Sequence, residues 1–160
     1  MPDTSTDTYY LFGALVRFLQ RSSQTGGAYC LAEALVAPGA GAPPNRHPGD
    51  DEAFYVLDGR FEFMIDGAMV PAGVGSFVKV PPGAPHAFRN VGTEPARLLV
   101  LNTPGRVHDG FFSEVGRPMP PGTATLPPPD GEVPDIPRLV EIARRNGLEL
   151  LVGEAPHSRE

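Results

Sequence analysis

The sequence predicts an all-β domain, a barrel or sandwich of short strands, followed by a proline-rich arm and a short terminal helix. Three observations predict it. Nineteen glycines and 20 prolines are spread as punctuation between short apolar runs, the pattern of many strands joined by turns. Asp66-Gly67 closes one such run, and both central positions of a type I′ hairpin turn need positive φ. Helical periodicity is nearly absent until Ile136, Leu139, Val140 and Ala143, which follow the i, i+3, i+4, i+7 spacing of one helix face.

Taken in order, strands are expected over residues 10–18, 28–36, 53–57, 60–65, 76–80, 86–90 and 97–102. Pro81-Pro82-Gly83 is a turn between an apolar run and the segment that carries His86. Residues 117–134 are rich in proline and read as an extended linker along the surface. Asp135 is an N-cap for the terminal helix, Gly147 its stop, and residues 148–152 can add an edge strand. The expected organisation is a β-barrel over residues 1–115, with residues 116–160 as an arm and helix packed on or across it.

The bulk properties bound the function. A chain of 160 residues with 41% hydrophobic content makes one domain with a real core. The formal net charge of -6, without a basic stripe, argues against nucleic acid and anionic membrane as partners. The single cysteine, Cys30, excludes an intrachain disulfide and sits in an apolar run as a small buried hydrophobe does. The most apolar segment, residues 11–19, is too short to span a bilayer and contains Arg17. The N-terminus is acidic and polar, unlike a signal peptide, so a cytoplasmic location is the default expectation.

The chemistry lies between Gly39 and Asn90. Asn45 and His47 are two residues apart and face the same way on a strand. Glu52 lies an odd number of residues beyond His47, on the opposite face of an unbroken strand. Pro48-Gly49-Asp50-Asp51 interrupts the strand and can reset that parity.

Two spaced motifs here resemble the cupin superfamily. The first runs Gly, five residues, His-x-His, three or four residues, Glu, six residues, Gly. Gly39, position 45, His47, Glu52 and Gly59 fall on it, with Asn45 where the family has His. The second runs Gly, five residues, Pro-x-Gly, two residues, His, three residues, Asn. Gly75, Pro81, Gly83, His86 and Asn90 match it throughout. Residues 25–29, Glu33 and the stretch from Pro104 to Phe112 look like the single-domain cupins often called quercetin dioxygenase-like.

The resemblance implies a double-stranded β-helix, the jelly-roll barrel, with a central pocket. It implies that position 45, His47, Glu52 and His86 converge there as ligands for a divalent metal. Two imidazoles and a carboxylate suit Fe, Ni, Mn or Zn. Asn45 is a weaker donor than imidazole, which leaves two outcomes. Either His47, Glu52 and His86 hold a metal with an extra open position, or the metal is lost and Glu52 or His86 acts as a catalytic acid or base.

The expected activity is metal-dependent, dioxygenase-type oxidation of a small apolar or aromatic metabolite. The alternatives are a cyclase, isomerase or lyase using Zn or only acid–base residues, and a non-catalytic small-molecule binder. A homodimer is expected, with the arm and the N-terminal strand embracing a second copy.

Other residues receive plainer readings. Asp50 and Asp51 read as solvated loop carboxylates, His108 as a loop histidine near the pocket mouth, and His157 as an exposed terminal residue. Glu33 reads as a partner for an arginine or a second pocket acid. Phe54, Val56, Phe61, Phe63, Phe77 and Phe88 read as pocket lining or ordinary core.

Overall fold

The structure is a computed structural model that describes residues 5–129, 131 and 133–151. Its elements are β1 (Thr8–Leu11), β2 (Ala14–Gln20), β3 (Cys30–Val36), β4 (Gly41–Arg46), β5 (Asp51–Asp58), β6 (Phe61–Ile65), β7 (Ala68–Ala72), β8 (Phe77–Val80), β9 (His86–Asn90), β10 (Ala96–Thr103), α1 (Arg106–Val115), β11 (Arg117–Pro118), α2 (Ile136–Arg145) and β12 (Glu149–Leu150). Among the described residues the strands form two antiparallel sheets. One is ordered β11-β1-β2-β3-β10-β5-β8 and the other β12-β4-β9-β6-β7.

Period-two alternation puts one face of each strand into the space between the sheets. On β5 the inward residues are Glu52, Phe54 and Val56, and on β10 they are Ala96, Leu98, Val100 and Asn102. Phe54, Phe61, Phe63 and Phe88 cluster between the sheets, with Phe54 and Phe63 ring centroids 4.9 Å apart. Phe77, one of the expected lining or core residues, points the other way and is 65% exposed. It stands across from Tyr55, and both lie on the outer face of the larger sheet.

The strand expected over residues 10–18 is a hairpin. Phe12 and Gly13 both adopt positive φ, at 52° and 76°, and turn the chain between β1 and β2. Cys30 is buried as expected. β4 was not expected as a strand, because Pro43 and Pro44 donate no main-chain hydrogen bonds. It pairs with β9 on one side, through a bulge, and with the two residues of β12 on the other.

The terminal helix and the following edge strand lie where the pattern placed them. The Asp135 side chain caps α2 by accepting from the Arg138 amide. The arm begins within the larger sheet, since β11 pairs with β1. Among the described residues no helix is long and apolar enough to cross a membrane.

The main correction is α1, ten residues where a loop was expected. Gly105 starts it at φ 89°, and a Cβ there would stand 2.2 Å from that of Cys30. The buried Arg21 guanidinium fastens α1 to the barrel by donating to Asp109 and Ser113, and also to the Tyr9 hydroxyl and the Thr6 carbonyl.

Candidate metal centre

Four segments distant in sequence meet at one end of the space between the sheets. β4 ends one residue before His47, and the Pro48–Gly49 turn brings the chain back into β5 so that Glu52 faces the same interior. This is the parity reset that the sequence suggested. His86 opens β9 directly across from Asn45. Asn102 lies across from Glu52 on β10, and α1 delivers His108. All six side chains are buried.

The Glu52 carboxylate is the hub. Its Oε1 is 2.8 Å from His86 Nε2 and 3.2 Å from His47 Nε2. Its Oε2 accepts from Asn102 Nδ2 at 2.8 Å and lies 3.1 Å from His108 Nε2. The His47 and His86 Nε2 atoms are 3.1 Å apart. Ligand atoms of His47, Glu52 and His108 all lie within 4.8 Å of one another.

The opposite ring nitrogens decide what this cluster can do. His47 Nδ1 is 2.9 Å from the Asp50 main-chain carbonyl, and His86 Nδ1 is 2.9 Å from the Ala84 carbonyl. His108 Nδ1 is 2.9 Å from Asp50 Oδ2. Each of these oxygens can only accept, so each Nδ1 carries the proton and donates. With each Nδ1 donating, all three Nε2 atoms are directed at one carboxylate and can offer it a proton or offer a lone pair to a cation. Such a set needs protons or a cation, and imidazole nitrogens anchored through Nδ1 are the usual form of a ligating histidine. The residues therefore fit a divalent metal.

Without a metal, protons take that role. Burial pushes the Glu52 carboxyl up, but the charge and hydrogen bond of His108 and the bonds from His47 and His86 outweigh it, holding it well below the usual range. Burial likewise lowers His108, yet Glu52 and Asp50 together raise it to about 9. Glu52 is thus an ionised ligand or base, not an acid. Asp50 is also held below its ordinary value, because the bonds and charge of His108 and the Gly105 and His108 amides overcome burial.

An apolar cavity of about 70 Å³ adjoins the cluster. Glu52, His86 and Asn45 form its polar edge, and Phe54, Phe88, Phe111, Phe112, Leu148 and Leu150 are among its walls.

A Cupin domain match covers residues 32–102, which include both motifs and three of the clustered side chains, His47, Glu52 and His86. The chain is 35% identical over 71 residues to the polyketide synthase CurC of Streptomyces cyaneus, covering 44% of this chain and 46% of that protein. It is 28% identical over 110 residues to the quercetin 2,3-dioxygenase of Bacillus subtilis, covering 68% of this chain and 32% of that one. The chain thus spans less than half the length of either relative. An RmlC-like cupin from Shewanella frigidimarina superposes with a TM-score of 0.55 at 19% identity, over 64% of this chain and 86% of that one. The chain belongs to the cupin superfamily.

In this cupin His47, Glu52 and His86 meet as expected. Asn45 adjoins them, but its Nδ2 donates to the Pro43 and His86 carbonyls and ties β4 to β9. Two readings are corrected. Asp50 is 2% exposed and no solvated loop acid, because its carboxylate takes up the Gly105 amide and His108. His108 is a buried member of the cluster on a helix. For Glu33 the first of its two readings holds: it lies on the outer face, ion-paired with Arg17 at 3.5 Å and with Arg97.

His157 lies outside the described residues. Asn90, the last residue of the second motif, is structural: its Nδ2 donates to the Val36 and Glu94 carbonyls. The spacing of Val107, Phe111 and Val115 carried a helical signal that could have placed His108. Nothing local marked Asn102.

Proposed function

We propose that this cupin is a metal-dependent enzyme acting on a small apolar or aromatic metabolite, by dioxygenase-type oxidation. The observation that carries this reading is the convergence of Nδ1-anchored imidazoles on the Glu52 carboxylate beside an apolar cavity. His47, Glu52 and His86 would hold Fe, Ni, Mn or Zn, with Asn45 bordering them through its bond to the His86 carbonyl. When bound, the metal supplies Lewis acidity and open positions for substrate or dioxygen. Asn102 holds the Glu52 carboxylate in place. Phe54, Phe88, Phe111 and Phe112 keep water out and offer ring faces to an apolar substrate. Similarity to the quercetin dioxygenase favours oxidation over other chemistries.

A second reading, cyclisation, isomerisation or elimination without oxygen, is favoured by the likeness to the polyketide synthase. There Glu52 would serve as base, and His86 would hand protons to and from the substrate. A non-catalytic binding cupin has no specific observation in its favour.

Elemental analysis of the protein as isolated tests the first reading, together with dioxygen uptake before and after chelation. About one metal per chain and chelator-sensitive uptake are expected. Turnover that persists without oxygen moves the assignment to the second reading. A ligand that binds and leaves unchanged moves it to the third.

A homodimer belongs to the same proposal. Tyr55, Phe77 and Leu101, exposed by 43%, 65% and 37%, lie on the outer face of the larger sheet and offer it a contact.

A further inference from the structure

We propose that the metal site is completed from outside the β-barrel: His108 of α1 supplies a ligand through Nε2, and Asp50 is the positioning residue that aims it. The proposal rests on the metal reading above and adds two residues that lie outside both sequence motifs' fixed positions.

The geometry points one way. His108 Nε2 faces Glu52 Oε2 at 3.1 Å, on the side of the carboxylate opposite His86, which faces Oε1. The His108 ring meets that of His47 edge to face, with centroids 4.5 Å apart. His47 and His108 therefore flank the same space, with Glu52 between them, and both rings are 3% exposed.

Asp50 holds both rings at once. Its main-chain carbonyl accepts from His47 Nδ1 and its Oδ2 from His108 Nδ1, each at 2.9 Å. Its Oδ1 accepts the Gly105 amide at 3.0 Å, which fixes the first turn of α1 relative to the β4–β5 turn. A carboxylate is required there because both of its oxygens must accept. An asparagine would turn an NH2 group toward either Gly105 or His108. Facing His108, it would draw out the other tautomer and place a hydrogen on Nε2, removing the lone pair that a metal needs.

Asn45 lies directly across from His86 and borders the same cavity. Its nitrogen is occupied by main-chain carbonyls. An imidazole at position 45 would approach the cluster from the β4 side and could take over the role of a lost His108.

The test is Co²⁺ titration of the metal-free protein, followed by visible absorption and by thermal shift. His108→Gln and Asp50→Asn are each expected to weaken binding by about 10–100-fold and to change the absorption of the bound ion. Asn45→His in the His108→Gln background is expected to restore affinity by supplying an imidazole from the β4 side. His108→Gln keeps most of the side-chain volume, and its unloaded melting temperature separates a loosened α1 from a lost ligand. The proposal is overturned if His108→Gln and Asp50→Asn bind like the parent while His47→Ala does not; the metal reading then survives. If the parent protein itself takes up no Co²⁺, Zn²⁺ or Fe²⁺, both fall together.

Discussion

Both oxygens of the buried Glu52 carboxylate face donors or ring nitrogens, so its replacement leaves three imidazoles facing one another without a counter-charge. Glu52→Gln should abolish metal retention and lower stability by about 3–5 kcal/mol, the cost of breaking a buried charged network from one side. Metal content after gel filtration and a urea melt check this; a loaded, fully stable variant would contradict it. Cys30 gives a second prediction at this scale. It is 1% exposed, and burial pushes its thiol up to about 12. A raised value keeps the thiol neutral, so alkylation should stay slow through roughly pH 8.5, where an ordinary thiol is half ionised. Rapid labelling of the native protein would show that the β3–α1 contact opens.

At the scale of elements, α1 adds Phe111 and Phe112 as a wall of the pocket, and its seat depends on Gly105. Alanine there would need positive φ and would collide with Cys30. Gly105→Ala should cost about 3 kcal/mol, read from the urea midpoint at unchanged slope. A loss under about 1 kcal/mol would mean that α1 can re-seat. The opposite wall is weaker. β12 is two residues long, and Pro43 and Pro44 of β4 bring it no amide donors. Leu148 and Leu150 nevertheless line the cavity, whose volume of about 70 Å³ is small beside ordinary ligand pockets. Under the proposed function, parting of β12 from β4 is the route expected to widen it for a substrate. The Leu151 amide, bonded to the Pro44 carbonyl, should exchange its hydrogen well before the amides of β10. Equal protection in the two strands would exclude this route.

For the whole molecule, the start of the proline-rich arm is held in the larger sheet. β11 extends the larger sheet along β1, and the Met119 amide continues that pairing to Thr8. The N-terminal strand is thus already paired by its own chain, which moves the proposed dimer contact to the row around Tyr55 and Phe77. Sedimentation should give twice the 17.0 kDa chain mass. Phe77→Glu should return the single chain with its metal content unchanged. A parent protein that sediments at 17.0 kDa at micromolar concentration would remove the dimer from the proposal.

The sequence by itself determined most of the barrel strands and the terminal helix, because period-two alternation and turn residues are local properties of the chain; the meeting of His47, Glu52 and His86 was implied only by the resemblance of the two motifs to cupins. It left α1 unread, since Gly110 and the polar residues around Val107, Phe111 and Val115 dilute a three-residue apolar stripe. The places of Asp50, Asn102 and His108 were decided by tertiary structure alone. Asp50 and His108 are 58 residues apart and Asn102 and Glu52 are 50 apart. Which carboxylate is solvated and which anchors an imidazole depends on what the fold packs against it, and burial of that kind leaves no mark on neighbouring residues.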